Sequence, residues 1–326
     1  MQHWSDYWRN SGALNSFAES GAASGYAGEI ADFWQLHLNK LTTDACVVDV
    51  GTGNGALAVL ISEYGKQHKR SWDVIGVDAA TINPAASLEG KPELQQKLEG
   101  ITFHGETVIE EMPFADSTID CVTSQFAFEY ADAKPALQEI FRVLKPGGEL
   151  IVMAHHAESA LVQDSQRGLE IFGYILNNSP LFVQLDLLFN LASGALATMD
   201  YASWNRTQEC IAITKSIQWT MTIINERFNQ PGDAQWVNDV FGQTIGLIKS
   251  VNSAQTAERA SRGLAGVYNA LQNHQLRIQE QVSVALNKEK LIALQGLVEG
   301  MNGDFSYADY TIDGELFAYT LVVRKR

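Results

Sequence analysis

The stretch Val47-Val48-Asp49-Val50-Gly51-Thr52-Gly53-Asn54-Gly55-Ala56 constrains the chain more than any other. Val47, Val48 and Val50 read as a buried strand. Three glycines follow at alternate positions, and Leu57, Val59, Leu60 and Ile61 continue at helical spacing. Strand, glycine turn and helix in that order place a tight backbone turn, open to close approach by a ligand, at the start of a helix. The unpaired N–H groups of that helix start face whatever sits above the turn.

From Cys46 to His156 strand and helix signals alternate. Strand candidates are Cys46–Val50, Val74–Val77, Ile101–His104, Cys121–Ser124 and Glu149–Ala154; helical segments at Ala56–Tyr64, Glu93–Leu98 and Ala136–Leu144 lie between them. This alternation predicts a parallel sheet with helices on both faces. Ligands of such sheets bind at the carboxyl ends of the strands, beside the point where strand order reverses.

From Ala157 to about Gly300 the strand signal disappears and apolar residues step by three and four. The longest such run, about Ala254 to Asn287, carries Ala257, Ala260, Leu264, Val267, Leu271, His274 and Ile278 on a near-heptad seam. His274 reads there as a satisfied or partly exposed seam residue. Phe305–Ile312 and Leu316–Val323 alternate around Asp313-Gly314, which predicts an antiparallel hairpin. At the other end, Trp4, Tyr7, Trp8, Leu14 and Phe17 share one helical face, Ser20 to Gly25 is a break, and Ile30, Phe33, Trp34, Leu36 and Leu38 form a second amphipathic stretch. These first 40 residues are either helix packed on the core or a flap carrying Tyr7, Trp8 or Tyr26 over a ligand.

Composition narrows the function classes. Hydrophobic residues make up 46% and charged residues 19%, enough for a packed core. Acidic residues number 38 against 23 basic ones, a formal charge of −15. That excess argues against a broad nucleic-acid surface and disfavours anionic membranes. The three cysteines form no C-x-x-C pair, so neither a disulfide framework nor a metal site is expected. No run is apolar and long enough to span a bilayer and no secretory signal is seen, so a cytoplasmic protein is expected.

Gly51-Thr52-Gly53-Asn54-Gly55-Ala56 fits the dinucleotide pattern G-x-G-x-x-A and also the nucleoside loop of S-adenosylmethionine (SAM) methyltransferases. The flanks choose between them. Asp49, two residues before Gly51, suits a cationic ammonium group and would repel a pyrophosphate. Asp78 ends the second strand, where a carboxylate accepts from ribose hydroxyls in either class. Met112-Pro113-Phe114-Ala115-Asp116-Ser117-Thr118-Ile119-Asp120 leads into the fourth strand. Arg142-Val143-Leu144-Lys145-Pro146-Gly147-Gly148 closes a helix and opens the fifth. These three motifs, in order and at ordinary spacing, resemble the class I SAM-dependent methyltransferases that read D-x-G-x-G-x-G, L-P-F-x-D-x-S-F-D and R-V-L-K-P-G-G.

The resemblance implies a Rossmann-like, seven-stranded, mostly parallel sheet with a C-terminal antiparallel hairpin, here interrupted by a large all-helical insertion. Residues 1–40 form an N-terminal helical flap, 41–156 and 301–326 the SAM-binding domain, and 157–300 a helical cap that is a candidate homodimer interface. Asp49, Gly51, Thr52 and Gly53 resemble the loop that holds the methionine part of SAM. Asp78 resembles the ribose-binding acid and Ala79 follows it against the adenine. Val108 and Ile109 fall at the adenine-contacting pair, and Ser124, Gln125 and Phe126 lie where the fourth strand meets the cofactor.

Methyl transfer needs desolvation, alignment and, for a hydroxyl acceptor, a base. The candidates are His155 and His156 after the fifth strand and Glu129 after the fourth, where Glu129 either orients a histidine or binds an amine. Tyr130, Tyr7 and Trp8 are candidate substrate contacts. The expected function is transfer of a methyl group from SAM, leaving S-adenosylhomocysteine, to an O or N atom of a small hydrophobic or aromatic molecule. A protein or RNA methyltransferase and a non-catalytic SAM-binding regulator are the alternatives.

Overall fold

A computed structural model of the chain describes residues 1–16 and 25–326. Phe17 and the expected break at 20–24 lie outside the described residues. The described chain divides into two compact units, Met1–Val162 with Ser283–Arg326, and Gln163–Val282.

The first unit is built on a seven-stranded sheet of order β3-β2-β1-β4-β5-β7-β6. Its strands are β1 (Cys46–Val50), β2 (Asp73–Val77), β3 (Ile101–His104), β4 (Ile119–Gln125), β5 (Leu144–His155), β6 (Gly303–Ile312) and β7 (Glu315–Lys325). The first five run parallel; β7 pairs antiparallel with both β5 and β6. This is the Rossmann-like arrangement, and strand order reverses between β1 and β4.

The central strands are apolar almost throughout, because both faces are covered. One face, with Val48, Val122, Val152 and Leu321, packs on α6 (Ala133–Val143) and α13 (Lys288–Gly300). The other, with Val47, Cys121, Ile151 and Met153, packs on α2 (Gly28–Leu38) and α3 (Ala56–Gln67). Strand β5 starts earlier than its apolar run suggests. It takes in Lys145-Pro146-Gly147-Gly148, because Leu144 pairs with Ile119 across a register shift.

The unit also holds α1 (Gln2–Ser11) and two short helices, α4 (Pro84–Ser87) and α5 (Pro92–Lys97). Helix α13 lies within the expected insertion but belongs to the sheet unit. Its Leu291, Leu294 and Val298 share one core with Phe141 and Val323. The compact helical unit is correspondingly shorter than residues 157–300.

That second unit is formed by α7 (Ala160–Asn177) from residue 163, α8 (Leu181–Ala195), α9 (Tyr201–Trp204), α10 (Gln208–Arg227), α11 (Asp233–Ser250) and α12 (Ala254–Val284) up to residue 282. Its core draws Phe172, Leu185, Phe189, Ile217, Ile224, Val240 and Phe241 from several helices, together with the α12 seam residues Ala257, Ala260, Leu264, Leu271 and Ile278. No strand occurs in it. No helix among the described residues is long and apolar enough to cross a membrane.

Candidate active site

The glycine turn sits at the β1/β4 reversal. Gly51 and Thr52 both donate their N–H groups to Val77 O, at 2.8 and 3.0 Å, which ties the turn to the end of β2. Gly51 (φ 69°) and Gly53 (φ 54°) are in the left-handed region. Each also has a neighbour that leaves no room for a side chain. A Cβ on Gly51 would lie 2.1 Å from Ala127 Cβ, and one on Gly53 would lie 2.4 Å from the Trp8 ring. The Asp78 carboxylate closes the turn from β2, accepting the N–H of Gly53 and of Ala80, both at 2.8 Å. Burial raises the pKa of Asp78, and these two N–H groups oppose the rise.

The N-terminal helix is fastened to this turn through Asn54. Its enclosed Nδ2 lies within donor distance of Trp8 O at 3.0 Å, Ser11 Oγ at 3.2 Å and Ala13 O at 2.9 Å. Trp8 therefore lies against Gly53. Trp4, four residues earlier on the same helical face, meets Tyr130 edge-on at 5.9 Å.

Between these parts lies a cavity. Of the residues singled out from the sequence, Gly51, Asp78, Ala79, Val108, Ile109, Phe126, Tyr130 and Trp8 line it. Glu110, an alternative to Val108 for the adenine contact, lines it too, as do Met1, Trp4, Ala127 and Ala131, which were not singled out as site residues. Trp4 had a signal, since it shares a helical face with Trp8. Ala127 had none, because only its approach to Gly51 gives it a role. Phe126 adopts φ 56°, rare for a bulky side chain, at the point where β4 turns out beside the cavity.

The remaining cofactor candidates are not among the residues that line this cavity. Asp49 and Gln125 lie on the α2/α3 side of the sheet. Asp49 is 2% exposed. Its Oδ1 accepts from Thr123 Oγ1 at 3.3 Å, while its Oδ2 has no hydrogen-bond partner. Burial pushes its pKa up to about 7. Gln125 Oε1 accepts from the Trp34 indole N–H at 2.6 Å. Thr52 is buried beneath Gly76. Ser124 accepts the Phe128 N–H at 3.0 Å and so shapes the turn after β4. Tyr7 donates to Ser16 O at 3.3 Å and packs edge-on against Trp8.

The three catalytic candidates separate into two groups. Glu129, on the turn Phe128–Tyr130, has an enclosed side chain whose Oε1 accepts from His155 N at 2.7 Å and from His155 Nδ1 at 2.6 Å. The His155 ring rests on Phe126 at 4.4 Å and meets Tyr130 at 6.1 Å. Both of those residues line the cavity. His156 points to the opposite face, as the two-residue period of a strand requires. It stacks on Tyr319 at 3.9 Å, accepts the Glu158 N–H at 2.9 Å through Nδ1, and faces Asp309 at 3.6 Å. Burial lowers its pKa.

The buried and partnerless Asp49 Oδ2 suits a cationic group, and the Asp78 carboxylate beside the glycine turn suits a ribose. These residues fit SAM. Residues 48–152 match the model of a family described as a methyltransferase domain. The chain is 31% identical over 132 residues to the ubiquinone/menaquinone biosynthesis C-methyltransferase UbiE of Marinomonas sp. (strain MWYL1), covering 39% of this chain and 50% of that protein. It is 32% identical over 108 residues to the demethylmenaquinone methyltransferase of Thermus thermophilus, covering 33% and 46%. The chain thus spans about half the length of these relatives. The crystal structure of the YcgJ protein from Bacillus subtilis aligns over 63% of this chain and 92% of its own, with 20% identity and a TM-score of 0.34. Over residues 48–152 the chain is thus similar to the methyltransferase domains of SAM-dependent enzymes.

Proposed function

We propose that the chain is a SAM-dependent methyltransferase acting on an O or N atom of a small hydrophobic or aromatic molecule. The observation that carries this reading is the cavity itself. One side offers the glycine turn and the Asp78 carboxylate, the other a largely aromatic wall of Trp4, Trp8, Phe126 and Tyr130. The bound cofactor supplies an already activated methyl group. What the chain must add is alignment, exclusion of water and a place for the acceptor's proton.

Asp78 holds the ribose hydroxyls, and Asp49 meets the cationic amino-acid end. Trp8 and Trp4 cover the opening and keep water out. His155 takes the acceptor's proton. Its Nδ1–H is directed at Glu129, which leaves the Nε2 lone pair as the accepting site. Glu129 acts through His155 and is a positioning residue.

A second reading is C-methylation, favoured by the names of the UbiE relatives. Proton removal from an activated ring carbon would use the same histidine. The helical unit as a homodimer interface belongs to the same proposal. It is supported by an exposed apolar stripe on α8, Val183, Leu187 and Leu191, and by exposed Trp219 and Ile223 on α10. Light scattering of the full chain tests it.

Calorimetry with SAM and with NAD tests the cofactor, and Asp78→Ala should weaken SAM binding by about 1–3 kcal/mol. Release of S-adenosylhomocysteine with panels of phenols, amines, proteins and RNA tests the acceptor. Binding of NAD without SAM would overturn the reading. SAM binding without turnover on any panel would favour a regulator.

A further inference from the structure

We propose that the methyl acceptor of this cavity is an amine that enters in its ammonium form, held in an aromatic corner of Trp4, Trp8 and Tyr130 with the Glu110 carboxylate beside it. The inference rests on the SAM reading and narrows its acceptor to nitrogen. Trp4 and Trp8, one turn apart on α1, form a single wall, with ring centroids 6.5 Å apart and planes inclined by 23°. The Tyr130 ring stands against Trp4 at 85°, with centroids 5.9 Å apart. All three line the cavity, together with Phe126. Walls at a right angle present two ring faces to one point. A cation placed there lies within the roughly 6 Å over which a ring face attracts positive charge.

Glu110 completes the corner. Its Oε1 accepts the Asp132 N–H at 3.0 Å, two residues beyond Tyr130, which ties this carboxylate to the Tyr130 side of the cavity. Asp78 remains for the ribose. Among the described residues that line the cavity there is no Lys, Arg or His, and the charged ones are Asp78 and Glu110. An acceptor bearing a carboxylate or phosphate would lose water there, find no cation and face like charge. A neutral alcohol would gain nothing from the ring faces. An ammonium group uses both the rings and Glu110. For transfer, the ammonium proton passes to His155 Nε2 and frees the nitrogen lone pair. The nitrogen then forms the new N–C bond as the S–C bond breaks onto sulfur, leaving S-adenosylhomocysteine.

Three isosteres that cannot be methylated on the branched end test this on the full chain loaded with S-adenosylhomocysteine, by ligand-observed NMR titration. Choline is cationic, 3,3-dimethylbutan-1-ol is neutral and 3,3-dimethylbutanoate is anionic. The wild type should bind choline about 5- to 30-fold more tightly than the neutral alcohol, the worth of a partly desolvated cation–π contact. It should bind the anion more weakly than either. Tyr130→Leu and Trp4→Leu should erase most of the preference for choline, while SAM affinity by calorimetry stays within about twofold. Tyr130→Phe keeps the ring and should retain the preference. Glu110→Gln should reduce it several-fold. The wild-type comparison needs no variant, so it stays decisive if a substitution prevents folding. A wild type that binds the neutral or anionic isostere at least as well as choline overturns the inference and leaves the SAM reading in place. Variants that weaken SAM and all three isosteres alike overturn it too, because the rings and Glu110 would then serve the cofactor or the fold. A wild type that does not bind SAM overturns the cofactor reading itself.

Discussion

One oxygen of Glu129 receives two hydrogen bonds from His155, at 2.7 Å from the backbone N–H and at 2.6 Å from ring Nδ1. The pair fixes both the end of β5 and the plane of the imidazole. His155→Ala should cut turnover by at least about tenfold while leaving SAM affinity nearly unchanged. Glu129→Gln keeps a hydrogen-bonding partner but loses the charge, and should shift the pH profile of kcat. His156→Ala should leave kcat near wild type and lower stability by about 1–3 kcal/mol, since its ring is packed on Tyr319. Equal losses of turnover in both histidine variants would place proton transfer elsewhere.

Asp49 gives a pH dependence of defined sign. Burial raises its folded-state pKa from 3.8 to about 7. The protonated form is favoured in the folded ligand-free chain. That contribution to stability is fully present below about pH 4 and is lost as pH rises through about 7. SAM, being cationic, should bind more tightly over the same rise. Denaturation curves and calorimetry at several pH values should show both trends in the wild type. Asp49→Asn should flatten both; unchanged curves would remove Asp49 from the cofactor's cationic end.

Asn54 links the glycine turn to the N-terminal helix through Trp8 O, Ser11 Oγ and Ala13 O. Asn54→Ala should loosen residues 2–11, making them more sensitive to proteases and speeding SAM dissociation. Stopped-flow dissociation and limited proteolysis read the two effects. Slow dissociation with an intact helix in the variant would show that Asn54 is not the fastening.

His274 should report on the helical unit alone. It lies among Phe172 and Trp236 at 5.1 and 5.6 Å, and burial pushes its pKa down from 6.5 to about 4. The neutral ring is favoured in the folded state. Its contribution is present above about pH 6.5 and lost as pH falls through about 4, by up to about 3 kcal/mol. His274→Phe should remove that acid-side loss in urea unfolding of the chain. An unchanged pH slope would show that the ring stays hydrated.

The elements legible in the sequence are those set by local pattern. The apolar run 47–50 with its alternate glycines, the strand–helix alternation to His156, the three- and four-residue steps of α12 and the Asp313-Gly314 hairpin all appear in the folded chain. Each depends on residues a few positions apart, whose spacing already states which face is apolar. Asp49 and Asp78 were legible for the same reason, as charges at fixed offsets from a strand end. What spacing cannot state is which distant residues a packed sheet brings together. Strand parity says that His155 and His156 face opposite ways; only the tertiary structure puts Glu129 beside His155 and Tyr319 beside His156. The same holds for Trp34 on Gln125, for Trp8 on Gly53 and for α13, whose Leu291, Leu294 and Val298 suit any apolar partner and find theirs on the sheet. Local periodicity determines a face; the path of the whole chain decides what that face meets.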